Sequence, residues 1–122
     1  MAAPNIVNVS SIYGKTYSNE LNTTVTASQL VCPSNKVLKI NTIICGNKDG
    51  SNSVDVTVLF MDNSTSSMRT LANLITVPAK STLVVLSKDT SIYLEEGDEI
   101  KAGASANSDA DIIISYEELD DA

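Results

Sequence analysis

From Asn52 to Met61 apolar and polar side chains alternate, with Val54, Val56, Val58 and Phe60 on one side and Asp55 and Thr57 on the other. A strand turns successive side chains to opposite faces, so a period of two over this length predicts a half-buried strand. Lys36 to Cys45 reads the same way, with Leu38, Ile40, Thr42 and Ile44 assigned to one face. Between the two lies Gly46-Asn47-Lys48-Asp49-Gly50-Ser51-Asn52, dense in residues that accept positive φ or build side-chain turns. The expected arrangement is an antiparallel hairpin with a longer loop.

The same reading continues in both directions. After the polar stretch Asp62 to Ser67, Met68 to Val77 reads as a strand stopped by Pro78, which has no N–H for a ladder and biases its predecessor to an extended form. Ser81 to Lys88 contains Leu83-Val84-Val85-Leu86, apolar on both faces, as in a strand covered on both sides or one with an outer face buried in an oligomer. Ser91 to Leu94 and Glu99 to Ala104 flank the acidic turn Glu95-Glu96-Gly97-Asp98 as a tight hairpin or corner. Ala110 to Tyr116 supplies a last strand, with Ile112, Ile114 and Tyr116 on one face and Ile113 opposite, among polar neighbours. Upstream, Ile6 to Tyr13 and Thr23 to Val31 read as two more strands.

About eight strands with turn signals every 8 to 12 residues define the expected fold: all-β, a single-domain antiparallel β-sandwich with jelly-roll or immunoglobulin-like connectivity. Residues 1–22 are expected to form an N-terminal arm or an edge strand, since Tyr13-Gly14-Lys15-Thr16-Tyr17-Ser18 is too polar for a central strand, and residues 23–122 the sandwich.

Composition narrows the chemistry. Aromatic residues make up 4% of the 122-residue chain, with no Trp and one Phe, so the core must come from Val, Ile, Leu and Ala. The net charge of −7, with Arg69 the single arginine, argues against nucleic-acid binding, which needs clustered cations to replace counterions on phosphates. Beyond Lys88 stand eleven acids against Lys101 alone, an acidic surface that keeps a protein soluble or steers it onto a basic neighbour. No run approaches the roughly 20 apolar residues that cross a bilayer, and the N-terminus lacks the pattern of a secretory signal, so synthesis in the cytoplasm and no membrane partner are expected.

The chain has no His, which removes Ser-His-Asp and Cys-His arrangements and most zinc sites together. Cys32 and Cys45 have no metal-type spacing and are read as free, partly buried thiols, with a disulfide between them left open but not implied. Glu95, Glu96, Asp98 and Glu99 are dense enough to consider as paired catalytic carboxylates or calcium ligands. Glycosidase chemistry, however, needs carboxylates on facing walls of a cleft, and the spacing is not that of an EF-hand. Solvated turn residues fit them better. The glycines stand alone at turns, so no phosphate loop and no cofactor is implied. The expected class is non-enzymatic.

Three segments then stand out: Val77-Pro78-Ala79-Lys80-Ser81-Thr82-Leu83-Val84-Val85-Leu86, Ile92-Tyr93-Leu94-Glu95-Glu96-Gly97-Asp98-Glu99-Ile100, and Ala104 to Asp109 followed by Ile113-Ile114-Ser115-Tyr116-Glu117. Over residues 36–118 this resembles small virion structural proteins of tailed phages, cyanophages among them. The resemblance implies a capsid decoration or cement protein, located in the virion, partnered by the major capsid protein or other virion proteins and by further copies of itself. It transfers no active site. The expected contact residues are Ile6, Val7, Val9, Ile12, Tyr13 and Tyr17 in the N-terminal segment, with Leu83, Val84, Val85 and Leu86 in the apolar strand. A tail or head-tail junction component is the alternative within this class. A carbohydrate-binding module for host attachment is the alternative outside it, with few aromatics for stacking a sugar.

Overall fold

The computed structural model describes residues 9–121, with side chains from 11 to 120. Among these, nine strands form two antiparallel sheets: β1 (Val9–Glu20), β2 (Ser28–Val31), β3 (Lys36–Asn47), β4 (Val54–Asp62), β5 (Ser67–Val77), β6 (Thr82–Leu86), β7 (Ile92–Leu94), β8 (Glu99–Ala104) and β9 (Ala110–Asp121). A single 3-10 turn, Lys88–Thr90, separates β6 from β7. One sheet runs β1-β9-β3-β6, with β7 also on β3, and the other β2-β8-β4-β5.

At Leu38 to Ile40 strand β3 carries β9 on one side, so β7, paired to the same residues, lies on the side of β6. β6 and β7 are therefore two halves of one strand interrupted by the 3-10 turn. Counted that way, the pairs β1·β9, β2·β8, β3·β6/β7 and β4·β5 nest inside one another, a hairpin of hairpins folded across two sheets. This is jelly-roll connectivity.

The core lies between the sheets and is built from branched aliphatics and small residues. Ile40, Ile43, Ile112 and Ile114 come from one sheet and Val56, Val58, Ile100 and Ala102 from the other, all fully buried. Val54, Val56 and Val58 point inward as their alternation requires, and Ile112 and Ile114 do so while Ile113 is exposed. Leu86 is a core residue, with Leu83 and Val85 packed against the core.

Three local features depart from the expected pattern. Ile44 faces outward because a β-bulge at Asn41 shifts the register between Ile40 and Thr42. That extra residue reverses parity, so that Ile43 and Cys45 take the core positions. A second bulge, at Val85, lets Leu83 and Leu86 both turn inward although they stand three positions apart, leaving Val84 outward at 59% exposure. Finally, β3 and β4 are not a hairpin: β3 pairs with β6, β7 and β9, and β4 with β5 and β8. The turn-rich segment after Gly46 carries the chain from one sheet to the other. Asn47, nearly fully buried, holds this crossing, its Nδ2 donating to the carbonyls of Asn52 and Val77 at 3.0 and 2.9 Å.

Along one side of the sandwich, Gln29 of β2 bridges the edge strands β1 and β2. Its Oε1 accepts from Tyr17 Oη at 2.9 Å and from Asn19 Nδ2 at 3.1 Å, while its Nε2 donates to the carbonyl of Ala102. This network ties the edge strand β1 to the facing sheet, and each buried polar atom in it has a partner.

Candidate interaction surface

The outward face of the β1-β9-β3-β6/β7 sheet is organised in rows, because residues paired across antiparallel strands share a face. One row is Ser18, Ile113, Ile44 and Val84, each registered on the next. Ile113 is 40% exposed and Val84 59%, and shallow grooves of about 220 and 300 Å³ flank Ile113. The row of Thr16, Ser115 and Thr42 follows, and then Gly14, Glu117, Lys39 and Tyr93. Between the apolar and charged members of these rows lie small or hydroxylated side chains, Gly14, Thr16, Ser18, Thr42 and Ser115.

Ion pairs border the face at one end, where Lys48 Nζ bridges Glu20 and Asp111, the latter at 3.0 Å. On the opposite side of this sheet, at its far end, Lys36 joins Asp120 and Glu118, and Lys15 reaches Glu118 at 3.2 Å. The hydrogen bond from Lys48 holds the Glu20 carboxyl below its ordinary range, and that from Lys36 does the same for Asp120. Lys48 and Lys36 are correspondingly raised.

Of the four sheet edges, β1, β6/β7, β2 and β5, the two formed by single long strands differ. β1 pairs with β9 along its length and leaves its other edge open. β5 is broken by two register shifts against β4, and Leu74 within it has φ of +51°, its N–H donating to Thr57 Oγ1 at 3.2 Å. A leucine in the left-handed region is strained, and the bulges kink this edge so that it pairs poorly with another strand. Beside it, Phe60, Arg69, Leu71, Ile92 and Tyr93 line an apolar groove of about 160 Å³.

The expected contact residues are thus dispersed. Ile12 and Tyr13 are exposed on β1 at 57 and 49%, and Val84 on β6. Tyr17 is turned towards Gln29, Leu83 and Val85 lean on the core, and Leu86 lies within it. Ile6 and Val7 lie outside the described residues, as does the side chain of Val9. The sequence pattern missed Ile44 and Tyr93 as surface residues. Tyr93 is the polar-facing neighbour of inward Ile92 and Leu94, an alternation that was available.

The acidic corner is structural. Asp98 is buried, its Oδ1 accepting the Asn63 N–H at 2.9 Å and its Oδ2 the Glu95 N–H at 3.0 Å, and Glu96 Oε2 accepts from the Asn35 N–H. Asp49 is likewise engaged by the N–H groups of Ser51 and Asn52. Among the described residues no group of three or more His, Cys, Asp or Glu is placed to hold a metal, and no helix is long and apolar enough to cross a membrane. The thiols of Cys32 and Cys45 are pushed up by burial to about 11 and about 12, which makes them poor nucleophiles.

The described residues form a single jelly-roll sandwich whose surfaces present rows of paired residues, sheet edges and shallow grooves. No protein-family model and no curated protein matches the chain. Two solved structures share its fold. A chain of the virus-like particle of extra small virus from the giant freshwater prawn Macrobrachium rosenbergii is 10% identical with a TM-score of 0.50, the match covering 92% of this chain and 80% of that one. A chain of the acidic stable capsid of Helicobacter pylori bacteriophage KHP30 is 14% identical with a TM-score of 0.50, covering 91% and 89%. At such identities the likeness is one of fold.

Proposed function

We propose that the chain is a non-enzymatic structural protein of a phage virion, and within the virion a head decoration or cement protein that assembles with the major capsid protein. The observation that carries this reading is the jelly-roll fold of this chain, which chains from two viral particles, one of them a phage capsid, match with a TM-score of 0.50 over 92 and 91% of its length. The surface fits the role. A protein held in many copies must resist random association, and here one edge is kinked by bulges while the Lys48, Glu20 and Asp111 charges border one end of the sheet face. Ile12, Tyr13 and Val84 are the exposed members of the expected contact set and are assigned to contacts with neighbouring virion subunits.

The test is stoichiometry in purified particles, by quantitative mass spectrometry against the major capsid protein. Decoration requires a ratio near one or a simple fraction of it. A few copies per particle would move the protein to the tail or neck, and absence would end the virion reading. The contribution of the first residues of the expected 1–22 arm or edge strand is tested by deleting residues 1–8. A deletion reaching residue 20 would remove all of β1 from the sheet and report on folding instead.

A further inference from the structure

We infer that the outward face of the β1-β9-β3-β6/β7 sheet binds a second copy of the chain across a two-fold axis running parallel to the strands between β9 and β3. Such an axis keeps each row at its own height and reverses its left-to-right order, so that β9 of one copy lies over β3 of the other and β1 over β6 and β7. Two sheets stacked this way fall into the aligned packing class, as the twist of each sheet favours.

The rows are chemically self-complementary under this operation. In the row Gly14, Glu117, Lys39, Tyr93, the Glu117 carboxylate is brought over the partner copy's lysine and Lys39 over its glutamate. Among the described residues Lys39 has no ion pair of its own, so its charge is available to a partner. At the ends of this row Tyr93, 46% exposed, comes over the partner's glycine. A Cβ built on Gly14 meets nothing within 4 Å, so there is open space there for a ring. In the row Ser18, Ile113, Ile44, Val84, each isoleucine meets an isoleucine, and in the row between, Ser115 meets Thr42. In the border row Asp111 falls over Gly46 and Glu20 over Thr82, so no two acids oppose.

The other in-plane two-fold axis, perpendicular to the strands, exchanges the rows. It sets Ile113 and Ile44 against Glu117 and Lys39, which leaves charges facing apolar surface and is disfavoured. The strand-parallel axis gives an isologous contact with each of these four rows matched to itself. Four strands at about 4.8 Å and six residues at about 3.3 Å span a face of about 19 by 20 Å. Over both copies this is about 760 Å² of flat area, which the side chains raise towards the lower bound of about 1,000 Å² for a specific interface. The dimer is therefore concentration-dependent. It requires nothing of the virion reading, since the face is complementary to itself.

Sedimentation equilibrium of the full chain over micromolar to millimolar concentration tests it. The wild type should show a reversible monomer-dimer equilibrium. Gly14→Phe, which fills the space assigned to the partner's ring, should raise the dissociation constant at least about tenfold with an unchanged thermal midpoint, and Tyr93→Ser should do the same from the other side of that contact. Glu117→Lys should weaken association by placing lysine over lysine, and adding Lys39→Glu should restore it. A wild type that stays monomeric throughout overturns the inference. So does a dimer indifferent to Gly14→Phe, Tyr93→Ser and Glu117→Lys in folded protein.

Discussion

The carboxylate of Asp98 accepts the backbone N–H of Asn63 at 2.9 Å, tying the corner between β7 and β8 to the far end of the β4–β5 hairpin. Its second oxygen accepts the Glu95 N–H, and its own carbonyl accepts from Cys32. One buried acid thus gathers three segments that are distant in sequence.

Replacing Asp98 with Ala leaves two N–H groups without that acceptor in a largely dry corner. A hydrogen bond to a charged group contributes about 1.5 to 3 kcal/mol, and the orphaned donors cost more. The expected loss is about 3 kcal/mol of unfolding free energy in a urea titration, with Asp98→Asn losing less because its amide oxygen still accepts one N–H. Equal stability of Asp98→Ala and wild type would mean that water replaces the carboxylate without cost.

Gly103 permits a close approach that no other residue can. A Cβ there would stand 2.5 Å from Val25 Cα and 2.7 Å from the Thr24 carbonyl oxygen, both backbone atoms of the segment laid across β8. Gly103→Ala must displace that segment and is expected to cost about 2 to 4 kcal/mol, at the upper end of overpacking. Gly50→Ala is the control, because its Cβ would meet only the flexible end of Lys80 at 3.7 Å. It should change stability by less than about 0.5 kcal/mol. Similar effects of the two substitutions would contradict the close approach at Gly103.

What could be read in advance follows from where the information lies. Val54, Val56 and Val58 sit in a strand whose parity is unbroken, so alternation alone placed them in the core, and the split between Ile112 and Ile113 was legible for the same reason. Ile44 was assigned to the wrong face because the bulge at Asn41 is defined by pairing with β9, and nothing local to Asn41 announces it. The apolar run Leu83 to Leu86 looked two-faced because its bulge against β3 was invisible. Turn residues after Gly46 encode that the chain changes direction. Which sheet it joins next is decided by long-range pairing of Val54 with Val77. The candidate surface inherits these limits, since its central residue, Ile44, is the one whose parity the bulge reversed.

Cys32 and Cys45 are buried, unpaired thiols. With burial pushing them to about 11 and about 12, almost no thiolate exists at pH 8. A chromogenic disulfide reagent should therefore label neither cysteine in the native protein within the time that labels both in denaturant. The native rate should follow the opening equilibrium and fall with added stability. Rapid labelling of one thiol under native conditions would place it on a locally open segment.

Acid should destabilise the fold through its ion pairs, and the sign follows from the carboxylates. Glu20 and Asp120 are held below their ordinary values of 4.5 and 3.8 by Lys48 and Lys36, so their contribution is fully present above those values and is lost as pH falls through the folded ones. Asp49 and Asp62, lowered by local N–H and hydroxyl donors, act in the same direction. Lys36 and Lys48 are raised above 10.5, so their share persists below that value and disappears only as pH climbs through the higher folded one. The thermal midpoint should thus be level from roughly pH 5 to 10 and fall on either side. Because neutralising a chain of net charge −7 also relieves repulsion, the pairs are isolated by difference: Lys36→Met with Lys48→Met should flatten the acid limb relative to wild type. Part of that limb should survive, carried by Asp49 and Asp62, whose partners are untouched. An acid limb identical in wild type and the double variant would assign acid sensitivity to those turns alone.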